Sequence, residues 1–201
     1  IFASSSDTTE AVLEAIGEGI FIVAAAGNIG PEQNSSDVSS PASIPGVIAV
    51  GAHGKSGDPW KDSATGSLTD PETGQNRIFP NQKPEITAPG VDLWSCIDSE
   101  SDPPYAFSTG TSDSTVLVTG ALALILAIHG EQIAGDDGEI DEQEMRLVKV
   151  ALANSAKKIA GQDQTHDPKR GYGLLDAAKW STQIQKEFGI GIEATDTADA
   201  K

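Results

Sequence analysis

Residues 20–26 read Ile-Phe-Ile-Val-Ala-Ala-Ala, and Gly27 and Asn28 follow at once. A short run that is apolar at every position is typical of a strand buried on both faces, as in a parallel sheet covered by helices. A second run of this kind, Val-Ile-Ala-Val-Gly-Ala, occupies residues 47–52. We therefore predict that residues 20–26 and 47–52 form adjacent parallel strands.

Helical patterns precede and follow these strands. Asp7-Thr8-Thr9-Glu10 is a capping-box sequence and predicts a helix before the first strand. Residues 112–129 are apolar nearly all round, which predicts a helix packed in the centre of the protein. Further helices are expected over residues 142–159 and from Leu175 into the 180s. This order predicts an α/β fold, with a mostly parallel sheet and helices on both of its faces.

Charge limits the classes of partner. The 201 residues carry 30 acidic and 13 basic side chains, a formal net charge of −17. Because binding of phosphate backbones or anionic lipids needs a surplus of Lys and Arg, we expect neither a nucleic acid nor a membrane surface as partner. The most apolar stretch, residues 116–128, is also shorter than the roughly 20 residues of a membrane span. An acidic surface suits an extracellular or cell-surface protein, or a high-salt environment.

Two residues stand where parallel sheets bind ligands, beyond the carboxyl ends of the strands. Asn28 follows the first strand, and Ser112 begins the central helix after Gly110. Ser112 would combine a hydroxyl with a free backbone N–H at the positive end of a helix dipole, and acyl transfer uses both groups. Taken singly, however, Ser112 is more often only a helix N-cap, and Asn28 only a turn residue.

Five segments, in one order along the chain, resemble the subtilisin-like serine proteases (subtilases). They correspond to the family's oxyanion-asparagine strand and the stretch after it, its K-P-D-I-x-A-P-G turn, its nucleophile motif and its C-terminal G-x-G motif. Here they are Val23–Asn28, Ser40–Ala52, Lys83–Gly90, Ser108–Ser112 and Gly171–Ala177.

The resemblance implies roles for individual residues. Ser112 would be the nucleophile of a serine endopeptidase and Asn28 the oxyanion donor, with Gly110 and Thr111 shaping the turn between them. Ala25, Ala26 and Gly27 would wall the pocket for the residue before the scissile bond. Ser4, Ser5 and Ser6 would pair with a peptide substrate as an added β-strand. Residues 1–190 would be the C-terminal portion of one catalytic domain, and residues 191–201 a flexible tail.

The chain departs from the family in two ways. Asp113 follows the nucleophile where the family usually has Met, which places a carboxylate beside the reacting hydroxyl. The motifs of the catalytic Asp and His are absent, and His53, His129 and His166 are expected to be surface residues that do not replace them. The fold is therefore expected to be incomplete at its N-terminal side, and the upstream part of the same protease to be a partner beside the peptide or protein substrate.

Two other functions stay open. An inactive pseudoprotease would keep the fold and bind or scaffold a partner. An interaction module without an active site would leave Asn28 and Ser112 far apart.

Cofactor and cysteine chemistry are expected to be minor. No cofactor is required for subtilase chemistry, although the resemblance leaves room for a structural calcium ion. Residues 137–144 match the second half of an EF-hand loop, but Ile133 and Gly135 stand where oxygen ligands are needed, so a solvated acidic linker is favoured. The single cysteine, Cys96, is expected to be a small buried apolar side chain.

Overall fold

The computed structural model describes residues 6–29, 37–98, 100–159, 161–162 and 165–191. Four helices and five strands occur within these ranges. In chain order they are α1 (Ser6–Gly17), β1 (Val23–Ala25), β2 (Ile48–His53), β3 (Ile86–Pro89), β4 (Leu93–Cys96), β5 (Tyr105–Ser108), α2 (Thr111–Ala134), α3 (Glu142–Ser155) and α4 (Ala177–Glu187).

The main sheet has the strand order β1-β2-β3, and both pairings are parallel. Val23 lies opposite Ile48, and Val50 lies opposite Ile86. The predicted parallel pairing of the two apolar runs is therefore confirmed. The first strand is shorter than predicted and only partly buried, because β1 stands at the edge of the described sheet. By contrast, β2 lies in the middle and is buried at every position.

The two faces of the sheet pack against different elements. Ile48 and Val50 of β2 point into a cluster that includes residues of α2, α3 and α4. Val47 and Ala49, on the opposite face, pack with Ile16 of α1. Because successive side chains of a strand point to opposite faces, one strand serves both clusters. Helices thus cover both faces, as the α/β prediction requires.

Helix α2 is buried on one side only, whereas its apolar sequence predicted a central position. Its inner face packs on the main sheet through side chains such as Val118 and Ile125. On its outer face Val116, Leu124 and Ile128 are each more than 60% exposed. With 24 residues, α2 is long and apolar enough to cross a membrane by length and composition, a test that core helices of soluble proteins also pass.

Two features were not predicted. Residues 105–108 form β5, which pairs antiparallel with β4 in a separate two-stranded sheet. The segment around Leu174 lies parallel to β3, since Thr87 N–H donates to Gly173 O and Leu175 N–H donates to Thr87 O. Asp176 then caps α4 by accepting a hydrogen bond from Lys179 N–H.

Candidate active site

The carboxyl end of the main sheet meets the first turn of α2. Asn28 lies three residues beyond β1, and Gly90 directly follows β3. Gly110 N–H donates to Gly90 O at 2.8 Å, and Ser114 Oγ donates to Ala88 O at 2.9 Å. These bonds attach the start of the helix to the end of β3. The residues singled out in the sequence therefore lie at the edge where parallel sheets bind ligands.

Asn28 is held by Thr111, the residue immediately before Ser112. Its Oδ1 accepts hydrogen bonds from Thr111 N–H at 2.9 Å and from Thr111 Oγ1 at 2.7 Å. Two donors on the carbonyl oxygen determine which end of the amide is oxygen, so the Nδ2 group must point to the other side. Gly27 N–H in turn donates to Thr111 Oγ1 at 3.2 Å. The structure thus brings Asn28 and the Ser112 loop together, which contradicts the interaction module with separated residues.

Ser112 is not the N-cap of α2. The N-cap is Gly110, which has no side chain, and the N–H of Thr111 is instead bonded by the side chain of Asn28. Ser112 belongs to the first turn, where backbone N–H groups lack partners within the helix, and its side chain is exposed. The common structural role of a serine at a helix start is therefore not the role of Ser112.

The absence of a side chain at Gly110 matters because of the space around it, and not because of its backbone angles. Its φ of 171° belongs to extended backbone, which any residue can adopt. A Cβ at this position would lie 3.3 Å from Asn28 Nδ2 and 3.5 Å from Asp113 Oδ2. The glycine therefore leaves room for the amide of Asn28 beside the loop.

Asp113 lies beside the Ser112 loop as well. Its Oδ2 accepts a hydrogen bond from Ser108 Oγ at 3.0 Å, which links α2 to the end of β5. A carboxylate in the first turn stabilises the helix through the helix dipole. Within the described part of the chain, Asp113 forms no ion pair. The site therefore contains a negative charge that no described basic side chain neutralises.

The predicted substrate-contact residues other than Thr111 fall into four groups. Ala25 and Gly27 are half-buried beside Asn28. Ala26 is completely buried, so it presents no surface to a substrate. Ser4 and Ser5 lie outside the described residues. Ser6 is the first residue of α1, and a helical backbone cannot pair with a peptide as the predicted strand.

The three histidines are buried, which corrects the prediction that they are surface residues. His53 Nδ1 lies 2.8 Å from Gly54 O, and His129 Nε2 lies 2.9 Å from Ser181 Oγ. His166 Nε2 donates to Pro84 O, and burial lowers the pKa of this imidazole. None of the three forms a hydrogen bond with Ser112 in the described part of the chain. Cys96, expected to be buried, is exposed on β4.

The acidic segment before α3 uses its carboxylates for capping. Asp141 Oδ1 accepts hydrogen bonds from Gln143 and Glu144 N–H, and Glu144 Oε2 accepts one from Asp141 N–H. Among the described residues, no three His, Cys, Asp or Glu side chains come together as metal ligands would. The donor set of residues 137–144 therefore does not fit a calcium ion.

Two features were not evident from the sequence, one at the site and one at the opposite end of the main sheet. Thr111 was expected only to shape a turn, but it fixes the amide of Asn28. A Lys83–Glu85–Lys149 cluster is buried at the amino-terminal ends of β2 and β3, with both lysine Nζ atoms within 3 Å of Glu85 Oε1. Lys83 belongs to one of the five resembling segments, but a lysine in a sequence gives no sign that it is buried.

Comparison with known proteins identifies the family. The model of the subtilase family, peptidase S8, matches residues 3–173. This chain belongs to the subtilase family. It is 36% identical over 127 residues to subtilisin amylosacchariticus of Bacillus subtilis subsp. amylosacchariticus, which covers 63% of this chain and 29% of that protein. It is 29% identical over 153 residues to the major intracellular serine protease of Bacillus subtilis, covering 76% of this chain and 42% of that protein.

Solved structures show the same relationship. The prenylagaramide maturation protease PagA superposes with a TM-score of 0.66 at 25% identity, covering 90% of this subtilase chain and 57% of that chain. The patellamide maturation protease PatA superposes with a TM-score of 0.63 at 26% identity, covering 92% of this chain and 58% of that chain. The subtilisin-like α/β fold is thus shown, and this chain spans less than two thirds of these relatives. Subtilases are serine proteases whose chemistry needs no cofactor.

Proposed function

We propose that this chain supplies the nucleophile and the oxyanion hole of a serine endopeptidase. The observation that carries the proposal is the pair of hydrogen bonds from Thr111 to Asn28 Oδ1. They leave Asn28 Nδ2 as a donor next to the Ser112 loop. Stabilising the oxyanion of a tetrahedral intermediate requires donors that are held in place before the charge develops. The backbone N–H of Ser112, at the N-terminus of α2, is the second donor.

The reaction follows from these roles. Ser112 Oγ attacks the carbonyl carbon of the scissile peptide bond, while the carbonyl oxygen becomes negative between Asn28 Nδ2 and Ser112 N–H. A general base must take the hydroxyl proton, because serine is a weak nucleophile at its ordinary pKa. That base later returns the proton to the leaving amine, and water releases the acyl group.

The base comes from outside the described residues. His53, His129 and His166 are buried and occupied by other partners. The solved relatives are considerably longer than this chain. We therefore propose that an upstream part of the same protease carries the catalytic His and Asp, and that the chain acts as an enzyme only together with this part.

The outer face of α2 supports this assembly. Val116, Leu124 and Ile128 form an exposed apolar stripe on the helix that begins at Thr111 and Ser112. A stripe of this kind on a soluble domain usually marks a contact with another protein segment. A segment packed along it would end beside Ser112, where the base is needed. The edge strand β1 offers a further place for this part to join the sheet.

The experiment uses the full-length gene product and a fluorophosphonate probe, which reacts only with an activated serine. We expect labelling at Ser112, none in Ser112→Ala, and strong loss in Leu124→Asp, which places a charge in the apolar stripe. Ile78→Asp is the matched control, because Ile78 is as exposed as Leu124 but lies outside α2. Full labelling of Leu124→Asp would refute the proposed contact, and an unlabelled wild-type protein would refute the enzyme.

An inactive pseudoprotease is the alternative, and Asp113 is the observation that favours it. Its carboxylate lies close to the place where an oxyanion would form, and like charges repel. The same labelling experiment distinguishes the enzyme from the pseudoprotease, since a pseudoprotease would bind a partner but leave Ser112 unlabelled. If Asp113→Asn restores labelling that the wild type lacks, the carboxylate is the cause of inactivity.

The composition of the site and of the chain also indicates a class of substrate and a location. The substrate is a peptide or protein, with an apolar residue before the scissile bond, because Ala25 and Gly27 leave room and bring no charge. A peptide library cleaved mainly after Lys or Arg would contradict this preference. The net charge of −17 supports an extracellular or cell-surface location, or a high-salt environment, without nucleic acid or membrane partners.

A further inference from the structure

The two-stranded sheet β4–β5 carries three aromatic side chains that pack on one another at the surface. Trp94, Tyr105 and Phe107 are 58%, 45% and 67% exposed. The ring of Trp94 stacks on Tyr105 with centroids 6.0 Å apart, and it meets Phe107 edge-on at 4.8 Å. Large aromatic rings are normally buried, so a cluster in which they cover only one another marks a binding surface.

The strand register places these rings on one face. Trp94 lies opposite Phe107, and Cys96 lies opposite Tyr105. Because side chains alternate along a strand, these four residues share a face of the sheet. Leu93, the strand's first residue, lies on the other face and is half-buried. We call Trp94, Tyr105 and Phe107 the aromatic face.

The surroundings of the aromatic face are negatively charged. No Lys or Arg occurs between Pro84 and Met145. Exposed carboxylates flank the two strands in sequence, at Asp92, Asp98, Glu100 and Asp102. In the described part of the chain none of these four forms an ion pair. Exposed aromatic rings within an anionic region are the conditions under which cations bind to π faces.

The two strands that carry the aromatic face are linked to the candidate active site. Strand β5 ends at Ser108, whose Oγ donates to Asp113 Oδ2. Asp92 N–H, at the start of β4, donates to Thr109 Oγ1 at 2.9 Å. The two strands are therefore attached to the loop that leads into Ser112, through Asp92 and through Ser108, whose side chain lies on the other face of the sheet from the three rings.

We propose that the aromatic face is a substrate-binding surface that selects polypeptides carrying Arg or Lys side chains. This inference rests on the proposed function and adds a second determinant of specificity, apart from the apolar pocket. The guanidinium or ammonium group lies over the ring of Trp94, while the neighbouring carboxylates draw the cation to the surface. Single-stranded nucleic acid also stacks on aromatic rings, but the absence of basic residues in this region opposes a phosphate backbone.

Binding is tested on the full-length gene product with the substitution Ser112→Ala, so that the peptide is not cleaved. Two fluorescent peptides are compared by anisotropy, one alternating Arg with Leu and the other carrying neutral citrulline in place of Arg. We expect the Arg peptide to bind about tenfold more tightly at low salt. The difference should shrink at roughly 0.5 M salt, because screening removes the attraction of the carboxylates.

Two further variants, made in the Ser112→Ala protein, locate the surface. Trp94→Ala should weaken binding of the Arg peptide about fivefold or more and leave citrulline binding nearly unchanged. Asp98→Asn with Asp102→Asn keeps all three rings, so it tests the charges even if Trp94→Ala disturbs the two strands. Ile78→Ala, an exposed apolar residue outside these strands, is the control and should bind both peptides as the parent protein does.

Equal affinity for the two peptides would overturn the proposal. So would a Trp94 side chain shielded from acrylamide quenching, since the upstream part or a second copy would then cover the aromatic face. The outcome is independent of catalysis. Peptide binding without fluorophosphonate labelling of the wild type refutes the enzyme alone, and labelling without discrimination between the peptides refutes this inference alone.

Discussion

Replacement of Lys83 by Met should remove a pH dependence of stability that originates in the buried Lys83–Glu85–Lys149 cluster. Lys83 Nζ donates to Val47 O at 2.6 Å and to Glu85 Oε1 at 2.9 Å. Lys149 Nζ donates to the same Glu85 oxygen at 2.7 Å. Two ammonium groups thus share one carboxylate in a site without solvent. Burial is the main cause that lowers the pKa of Lys83 from 10.5 to about 7, and the charge of Lys149 lowers it further.

The size of the effect follows from counting protons. Above pH 7 the native protein has released the Lys83 proton, whereas the unfolded chain keeps it up to pH 10.5. The unfolded state therefore binds one more proton in this window, and the free energy of unfolding rises with pH by up to about 1.4 kcal/mol per pH unit. Lys149, whose pKa burial also lowers, adds to the same trend.

The assay is urea unfolding of the full-length gene product and its Lys83→Met variant at several values between pH 6.5 and 9.5. The free energy of the wild type should gain about 3 kcal/mol relative to the variant across this range, because only the wild type titrates at residue 83. Lys83→Met leaves Lys149 and Glu85 as a pair of opposite charges. Parallel curves for the two proteins would refute the lowered pKa, and a wild type that loses stability relative to the variant would reverse its sign.

Three further outcomes are expected. Asn28→Ala should lower kcat of the assembled enzyme about 10²–10³-fold, a magnitude borrowed from the loss of one oxyanion donor in a subtilisin. An unchanged kcat would show that Asn28 is not the oxyanion donor. Arg77→Met should cost about 3–5 kcal/mol in urea unfolding, because it removes the guanidinium whose positive charge lies 2.6 Å from the nearly buried carboxylate of Asp37. The exposed Lys61–Asp62 pair is the control, and Lys61→Met should cost less than about 1 kcal/mol. Gly90→Ala should cost about 1–3 kcal/mol by calorimetry, since its Cβ would overlap Ser114 Oγ and lie 2.7 Å from Gly110 O.

Local sequence patterns predicted much of the fold. Continuous apolarity over residues 20–26 and 47–52 predicted two parallel strands, and the structure pairs Val23 with Ile48. The pattern is informative because a strand covered on both faces must be apolar at every position. The order of motifs around Asn28 and Ser112 also predicted the site, since a strand end and a helix start of one α/β sheet meet at the same edge.

Burial was decided by the tertiary structure. Helix α2 is apolar on all sides, so its sequence could not indicate that only one side would be covered; that depended on where the sheet lies. The same reason explains two wrong predictions. His129 was predicted to be exposed but is buried, and Cys96 was predicted to be buried but is exposed. A side chain's own chemistry does not say which element will pack on it.

The sequence by itself determined the α/β class, the pairing of the first two strands and the residue types at the site. Only the tertiary structure placed Thr111 against the amide of Asn28, gathered two lysines around Glu85 and exposed the rings of β4 and β5. Strand periodicity and helix capping are set by residues close together in sequence. Each of those three arrangements joins residues distant in sequence: Thr111 is 83 positions from Asn28, Lys149 is 64 from Glu85, and Tyr105 is 11 from Trp94. Only the packed chain brings such residues within reach of one another.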